Sequence, residues 1–172
     1  MSKEMIRIAN CSGFYGDKLS VAKDMVEGGP IDVLTGDYLA ELTMTILYNQ
    51  KMKRGEEHGY VGTFIKQFKD VAKITQDKNI KIVTNAGGLN PKSMAQEITK
   101  VVEELDLDLK VSYIDGDDLI PEIDKLTDLG EKFSNLDKNI DLKDYSKKAI
   151  TANAYLGAWG IKEALDNGAD VV

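Results

Sequence analysis

Small polar, acidic and glycine residues recur directly after four short apolar runs of this 172-residue chain. The segments read Asn-Cys-Ser-Gly-Phe-Tyr-Gly-Asp at 10–17, Thr-Gly-Asp-Tyr at 35–38, Thr-Asn-Ala-Gly-Gly-Leu-Asn-Pro at 84–91 and Asp-Gly-Asp-Asp at 115–118. In an open parallel sheet, ligands bind outside the carboxyl ends of the strands, where helix N-termini present free N–H groups. We therefore predict that the four segments line one small-molecule site.

Carboxylates accompany these segments, at Asp17, Asp37, Glu41, Asp115, Asp117 and Asp118. Two carboxylates about 4 Å apart repel by about 4 kcal/mol at an effective dielectric of about 20. If Asp37 and Asp117 converge, the site must hold a cation, a shared proton or a hydroxyl-rich ligand, and Mg²⁺ is the metal that such side chains favour. We predict Asp37 and Asp117 as the catalytic acid–base residues; ordinary helix caps are the alternative for each.

The first segment partly matches a dinucleotide-binding fingerprint. Cys11, Gly13 and Gly16 have its spacing, with cysteine in place of the first glycine, and Asp37 lies near the offset of a ribose-binding carboxylate. Two bulky aromatic residues stand between the glycines, which favours a plain strand-to-helix turn over an NAD site. Cys11 is either a nucleophile activated near a helix N-terminus or a small buried hydrophobic residue.

The segment at 84–91 is the stronger candidate for binding an anion. Gly87 and Gly88 could expose backbone N–H groups, and Asn90-Pro91 predicts an N-cap and the first residue of a helix. The helix dipole would add about half a positive charge there. A phosphate, carboxylate or thioester oxygen fits this site, and a simple helix cap is the alternative.

Short β-branched runs alternate with helical apolar stripes, which predicts βαβ units. Predicted strands lie at 5–9, 31–34, 80–84 and 109–114, with an incipient strand at 170–172. Predicted helices carry the stripes at 19–26, 39–47, 61–72, 95–105 and 123–129, and a last helix covers 145–167 before Gly168. We predict one α/β domain over 1–172, an open, mostly parallel sheet of about five strands with helices on both faces, as in flavodoxin-like and Rossmann-like three-layer folds.

Composition excludes several classes of protein. The net charge of −7 and the absence of a long Lys/Arg cluster argue against nucleic-acid binding. The sequence has no apolar stretch of the roughly 18 residues that a membrane span needs. One cysteine and one histidine exclude an intrachain disulfide and a multi-histidine metal site, and the cysteine count favours a cytoplasmic location.

Five segments together, in this order, resemble the acyclic terpene utilisation family of the AtuA type. They are 10–17, 35–41, 84–91, 116–118 and Ala-Tyr-Leu-Gly-Ala at 154–158, and the ending Ala-Leu-Asp-Asn-Gly-Ala-Asp at 164–170 is also similar to that family's. The resemblance covers essentially the whole chain. It implies a bacterial cytosolic protein encoded with enzymes that degrade branched acyclic terpenoids as CoA thioesters.

The resemblance also implies family chains that run past the equivalent of Val172, so we expect a missing C-terminal part or partner chain. The predicted ligand-binding residues are Ser12, Gly13, Tyr15, Gly16, Asp17, Thr35, Gly36, Tyr38, Glu41, Asn85, Gly87, Gly88, Asn90 and Asp118.

Three functional hypotheses follow. The first is an enzyme, or half of one, acting on an acyl or acyl-CoA substrate. The second is a nucleotide-binding domain without chemistry of its own. The third is a non-catalytic assembly partner or homo-oligomer that pairs through an open strand edge at 170–172.

Overall fold

The computed structural model describes residues 5–146 and 148–172 and has an α/β fold. Its strands are β1 (Ile8–Asn10), β2 (Val33–Gly36) and β3 (Lys81–Thr84). Its helices are α1 (Val21–Gly28), α2 (Glu41–Arg54), α3 (Gly62–Lys78), α4 (Pro91–Glu104), α5 (Ile123–Asp128) and α6 (Trp159–Asp166). Short 3₁₀ turns occupy Ile120–Glu122 and Leu142–Asp144.

The sheet is parallel and has three strands, in the order β1-β2-β3. Ile8 pairs with Val33, and Val33 pairs with Lys81 on its other side. The described residues thus show three strands and not the expected five or so, because the fourth and fifth candidates contribute only the isolated bridge residues Val111 and Val171. The Rossmann-like arrangement with helices on both faces stays a prediction.

The chain end is enclosed by its neighbours. Val171 bridges Ile82 on one side and Val111 on the other, both in parallel orientation. The Val172 amide donates to the carbonyl of Ile82 (2.9 Å), and the Asp170 amide donates to that of Lys110 (2.8 Å). Residues 170–172 are therefore not the open edge that the sequence suggested.

Helices α1, α3 and α4 pack side by side, with α1 also against β1 and β2. Most of the apolar stripes predicted for them are buried, but Leu19 and Met25 of the first stripe and Leu105 of the fourth are exposed. Their buried apolar residues include Ala22, Val26, Phe64, Phe68, Val71, Ala72, Met94, Ile98, Val101 and Val102. The helical period thus predicted this side of the core correctly, because one face of each helix must leave water. Among the described residues no helix is both long and apolar enough to cross a membrane.

The N-cap of α4 and the C-terminal stop of α6 were predicted correctly, but the start of α6 was not. Asn90 caps α4, its side-chain oxygen accepting from the Ser93 amide at 3.1 Å. Gly168, with φ of 85°, ends α6 in a Schellman motif, in which the Ala169 amide donates to the carbonyl of Ala164. However, α6 begins only at Trp159, so the predicted helix at 145–158 was wrong, apart from position 147, which lies outside the described residues.

The chain forms two compact units. The larger one contains the described residues up to Asp115 together with Gly157–Val172, and it holds the sheet. The smaller one is Gly116–Leu156, where α5 and an antiparallel bridge between Asp118 and Asn153 are found. None of its described residues is buried.

An ion pair joins the start of β1 to the start of β2. Asp32 accepts from the Arg7 backbone amide (2.7 Å) and from the guanidinium Nε and Nη2 atoms (3.0 and 2.9 Å). These hydrogen bonds lower the pKa of Asp32 to about 2.

The lowered pKa predicts a loss of stability in acid. Because the folded state holds Asp32 ionised below the usual carboxyl pKa of about 4, its contribution is present above about pH 4 and disappears as the pH falls towards 2. Asp32→Asn should therefore lower the free energy of unfolding at pH 7, and the difference from the original chain should shrink through that window in urea titrations. Arg7→Gln should give the same profile, and an equal difference at pH 7 and pH 2.5 would contradict the prediction.

Candidate functional site

Hydrogen bonds draw the turns after the three strands together. The Cys11 amide donates to the carbonyl of Thr35 at 2.8 Å, and the Asp37 amide donates to that of Ser12 at 2.9 Å. The Asn85 side chain, from the third turn, donates to Asp37 Oδ1 at 2.6 Å. The carboxyl ends of β1, β2 and β3 thus form one edge, as expected of parallel strands.

Asp37 stands at the centre of this edge. Its Oδ1 accepts from Asn85 Nδ2 and, at 3.4 Å, from the Leu39 amide. The Asn85 oxygen in turn accepts from the Tyr38 amide at 2.8 Å, so the asparagine is fixed at both ends of its side chain. No described residue donates to Asp37 Oδ2, and the residue is exposed. Asp37 therefore presents an oriented carboxylate with one oxygen open to a ligand.

The turn at 11–17 already binds a carboxylate of its own. Asp17 Oδ2 accepts from the amides of Gly13 (2.6 Å) and Phe14 (3.2 Å). The Ser12 hydroxyl donates to the carbonyl of Phe14 at 2.9 Å. Because these amides are the groups that a phosphate would need, Asp17 occupies the anion position of the apparent dinucleotide fingerprint.

Gly16 lies against the ring of Phe14, which is exposed and would have to shift to admit a side chain at this position. A Cβ there would lie 2.5 Å from the Phe14 ring. The helix α1 begins only at Val21, so its N-terminus does not follow β1 immediately as a pyrophosphate turn requires.

The glycines at 87 and 88 have packing causes. A Cβ on Gly87 would lie 2.7 Å from Pro91 Cβ, and one on Gly88 would lie 2.9 Å from the carbonyl oxygen of Gly59. The Gly88 amide donates to Asn85 O, and the Asn90 amide donates to Gly87 O. The hydrogen bonds agree with the helix-cap interpretation, and the Gly88 and Asn90 amides are already engaged within the turn.

Other predicted ligand residues support the edge from behind. The Thr35 hydroxyl donates to Ala9 O and Asn10 Oδ1, and Gly36 is buried beside the Tyr38 ring. Tyr15 accepts from Gln50 of α2 at 3.2 Å, which ties the first turn to that helix. Glu41 is the exposed first residue of α2.

Tyr38 and Cys11 are buried, each only 2% exposed. The Tyr38 hydroxyl donates to Gln67 Oε1 at 2.7 Å and contacts Cys11 Sγ at 3.8 Å. Burial raises the pKa of the Cys11 thiol and of the Tyr38 phenol. Cys11 therefore fits the interpretation of a small buried hydrophobic residue, and it lacks the exposure and lowered pKa of a nucleophile.

Asp117 and Asp118 lie in the smaller unit. Asp117 Oδ2 accepts from Asn153 Nδ2 at 2.9 Å, the same aspartate–asparagine pairing that holds Asp37. Asp118 Oδ1 accepts from the Ile120 amide at 2.9 Å and caps the turn that follows. Whether Asp37 and Asp117 converge stays a prediction.

Three side chains with clear positioning contacts were absent from the predicted site, namely Gln50, Gln67 and Asn153. Asn153 directly precedes the segment at 154–158, and this was a usable signal. Gln50 and Gln67 lie within helices, and nothing in their local sequence marks them. Among the described residues no group of three or more His, Cys, Asp or Glu side chains could hold a metal ion.

Comparison with known proteins agrees with the resemblance drawn from the loops. The family model described as acyclic terpene utilisation family protein AtuA matches residues 6–172. Searches of curated proteins and of solved structures gave no significant match. Because the family match includes all three turns of the edge and both aspartate–asparagine pairs, the chain belongs to the AtuA family of acyclic terpene utilisation proteins.

Proposed function

We propose that this protein acts on a small acyl or acyl-CoA substrate in the breakdown of acyclic terpenoids, as an enzyme or as half of one. Family membership supports the catabolic context. The proposed reaction rests on the exposed Asp37 carboxylate. Asn85 donates to its Oδ1 atom, and its Oδ2 atom is open to a ligand. A carboxylate fixed in this way can take a proton from a substrate or bind its hydroxyl group.

The position of Asn85 explains how Asp37 would keep its orientation during a reaction. Its amide oxygen is engaged by the Tyr38 backbone, so the NH₂ group must face the carboxylate. Tyr38 itself is fixed in the core by Gln67. Preorganisation of this kind removes the cost of ordering the acid–base group when the substrate binds.

Apolar side chains near the turns support an acyl ligand. Phe14, in the first turn, is 56% exposed, and Leu42, in the first turn of α2, is 72% exposed. Each stands beside polar residues of the edge in sequence. Exposed apolar groups next to an oriented carboxylate suit a ligand with a hydrocarbon chain and a polar end better than a wholly polar one.

A nucleotide-binding function has less support. The amides of Gly13 and Phe14, which would hold a pyrophosphate, already bind Asp17. A nucleotide would have to displace a carboxylate of the chain from its own turn. Because the amides of this turn are occupied, Asp37 is better explained as part of an acyl site than as a ribose-binding carboxylate.

Removing the charge of Asp37 tests the proposal. We expect Asp37→Asn to abolish growth of a complemented deletion strain on an acyclic terpenoid while the purified chain stays folded, because the substitution keeps the shape and removes the base. Calorimetry with CoA and with isovaleryl-CoA as probes should show weaker binding of the thioester to the variant. Asp117→Asn tests the second predicted catalytic carboxylate in the same two assays.

The matched control is Asp70→Asn, an exposed aspartate of α3 far along the chain from the turns. It should support growth like the original protein. If both Asp37→Asn and Asp117→Asn leave growth and thioester binding intact, the acyl hypothesis is wrong. A calorimetric response to NAD or ATP, with none to the CoA probes, would favour the nucleotide alternative instead.

A further inference from the structure

β1 is an open edge of the sheet. It pairs with β2 on one side, and no other described strand pairs with it. The Arg7 carbonyl accepts from the Val33 amide (3.1 Å), and the Cys11 amide donates to Thr35 O (2.8 Å), so the odd-numbered residues face β2. By the alternation of a strand, the amides and carbonyls of Ile8 and Asn10 face away from the sheet.

The side chains along this edge are apolar and exposed. Met5 is 86%, Ile6 67% and Ile8 65% exposed. Ile6 and Ile8 lie two residues apart and therefore on the same face of the strand. Free backbone groups beside an exposed apolar face form a template for another strand.

The usual protection of an edge strand is missing here. Charged Lys and Arg side chains on an edge strand commonly disfavour pairing with another chain. Here the Arg7 guanidinium is instead hydrogen-bonded to Asp32, next to β2. At the other side of the sheet, the segment that bridges Val171 carries Lys110, which is exposed and whose ammonium donates to the Asn167 carbonyl. Among the described residues, β1 combines a free backbone edge with exposed apolar side chains.

We propose that β1 pairs antiparallel with β1 of a second copy of this chain, about a two-fold axis through Ile8. In this register Ile8 faces Ile8 of the second copy, and Arg7 faces Ala9, so no like charges oppose each other. An axis at Arg7 would instead place two guanidinium groups opposite each other. The two-fold contact satisfies both open edges and closes the assembly as a dimer.

A second copy is favoured over pairing of β1 with the opposite side of another molecule. That contact would set the apolar edge beside Lys110, and its head-to-tail geometry would leave an open edge at each end and grow a filament. The symmetric contact uses one apolar, uncharged strand edge twice. In this register Ile6 faces Asn10 and Met5 faces Cys11, so the contact reaches the start of the first turn. It involves neither Asp37 nor Asn85 and does not depend on the acyl site.

Cross-linking tests the register. In a hydrogen-bonded antiparallel pair the facing Cα atoms lie about 5.5 Å apart, within the range that a disulfide spans. Ile8→Cys should therefore form a disulfide-linked dimer under mild oxidation. Met52→Cys, at a similarly exposed apolar position of α2, should stay largely monomeric on denaturing gels, and native Cys11 is buried.

Sedimentation velocity tests the association itself on the 172-residue chain. We expect a concentration-dependent dimer that Ile8→Lys weakens by about tenfold or more and Met52→Lys leaves unchanged, with circular dichroism reporting the fold of each variant. A chain that stays monomeric at all concentrations overturns the proposal. So does a dimer that is equally strong in folded Ile8→Lys, or one whose Ile8→Cys variant does not cross-link.

Discussion

Gly88→Ala should lower the free energy of unfolding by about 4 kcal/mol, which combines the cost of a left-handed backbone with that of overpacking. Gly88 has φ of 54°, which alanine adopts poorly. Its Cβ would lie 2.3 Å from Leu47 Cδ1 and 2.9 Å from the carbonyl oxygen of Gly59. Leu47 is fully buried and the second obstacle is backbone, so neither can move aside cheaply.

The left-handed backbone and the packing clash can be separated by a matched control. Gly157 has φ of 71°, but a Cβ there would meet nothing within 4 Å. Gly157→Ala should therefore cost only about 1 kcal/mol, the backbone part alone. Denaturant titration of both variants measures the difference, and equal losses would mean that the contacts with Leu47 and Gly59 do not constrain the turn.

Phe68→Ala should also cost about 4 kcal/mol, the usual result of truncating a buried phenylalanine. Phe68 is fully buried and stacks on Phe64 with ring centroids 6.5 Å apart. Phe64 meets the Tyr38 ring edge-on at 5.8 Å, and the Tyr38 amide holds Asn85. The cavity would therefore loosen the same residue that orients the Asp37 partner.

The control for Phe68 is an aromatic residue without packing contacts. Tyr155 is fully exposed, and Tyr155→Ala should change the free energy of unfolding by less than about 0.5 kcal/mol. Both variants are measured by the same denaturant titration. A loss below about 1 kcal/mol for Phe68→Ala would show that the aromatic row from Tyr38 to Phe68 is not essential to the core.

Local physical chemistry made several features predictable from the sequence. The buried faces of α3 and α4, and of α1 at Ala22 and Val26, were predictable because apolar residues at helical spacing share one buried face. Asn90-Pro91 and Gly168 marked helix ends because capping depends on neighbouring residues only. The family was predictable because its short loop segments keep their order along the chain.

Tertiary contacts determine whether the glycine-rich turns can bind a ligand or serve packing. Whether Gly13 offers its amide to a ligand depends on Asp17, and whether Gly88 serves a ligand or packing depends on Leu47 and Gly59. No spacing rule reports such contacts. The role of Asn85 could not be predicted either, because its side chain is hydrogen-bonded to Tyr38 and Asp37 of the second turn, 47 and 48 residues away in sequence.

The sequence by itself determined the parallel α/β plan, most helices and the family, because these follow from local period and short motifs. Tertiary structure alone decided which strand is the open edge. Residues 170–172 form bridges to both Ile82 and Val111, leaving β1 open instead. The physical reason is that backbone pairing joins residues far apart in sequence, so a strand's neighbours cannot be read from its own composition.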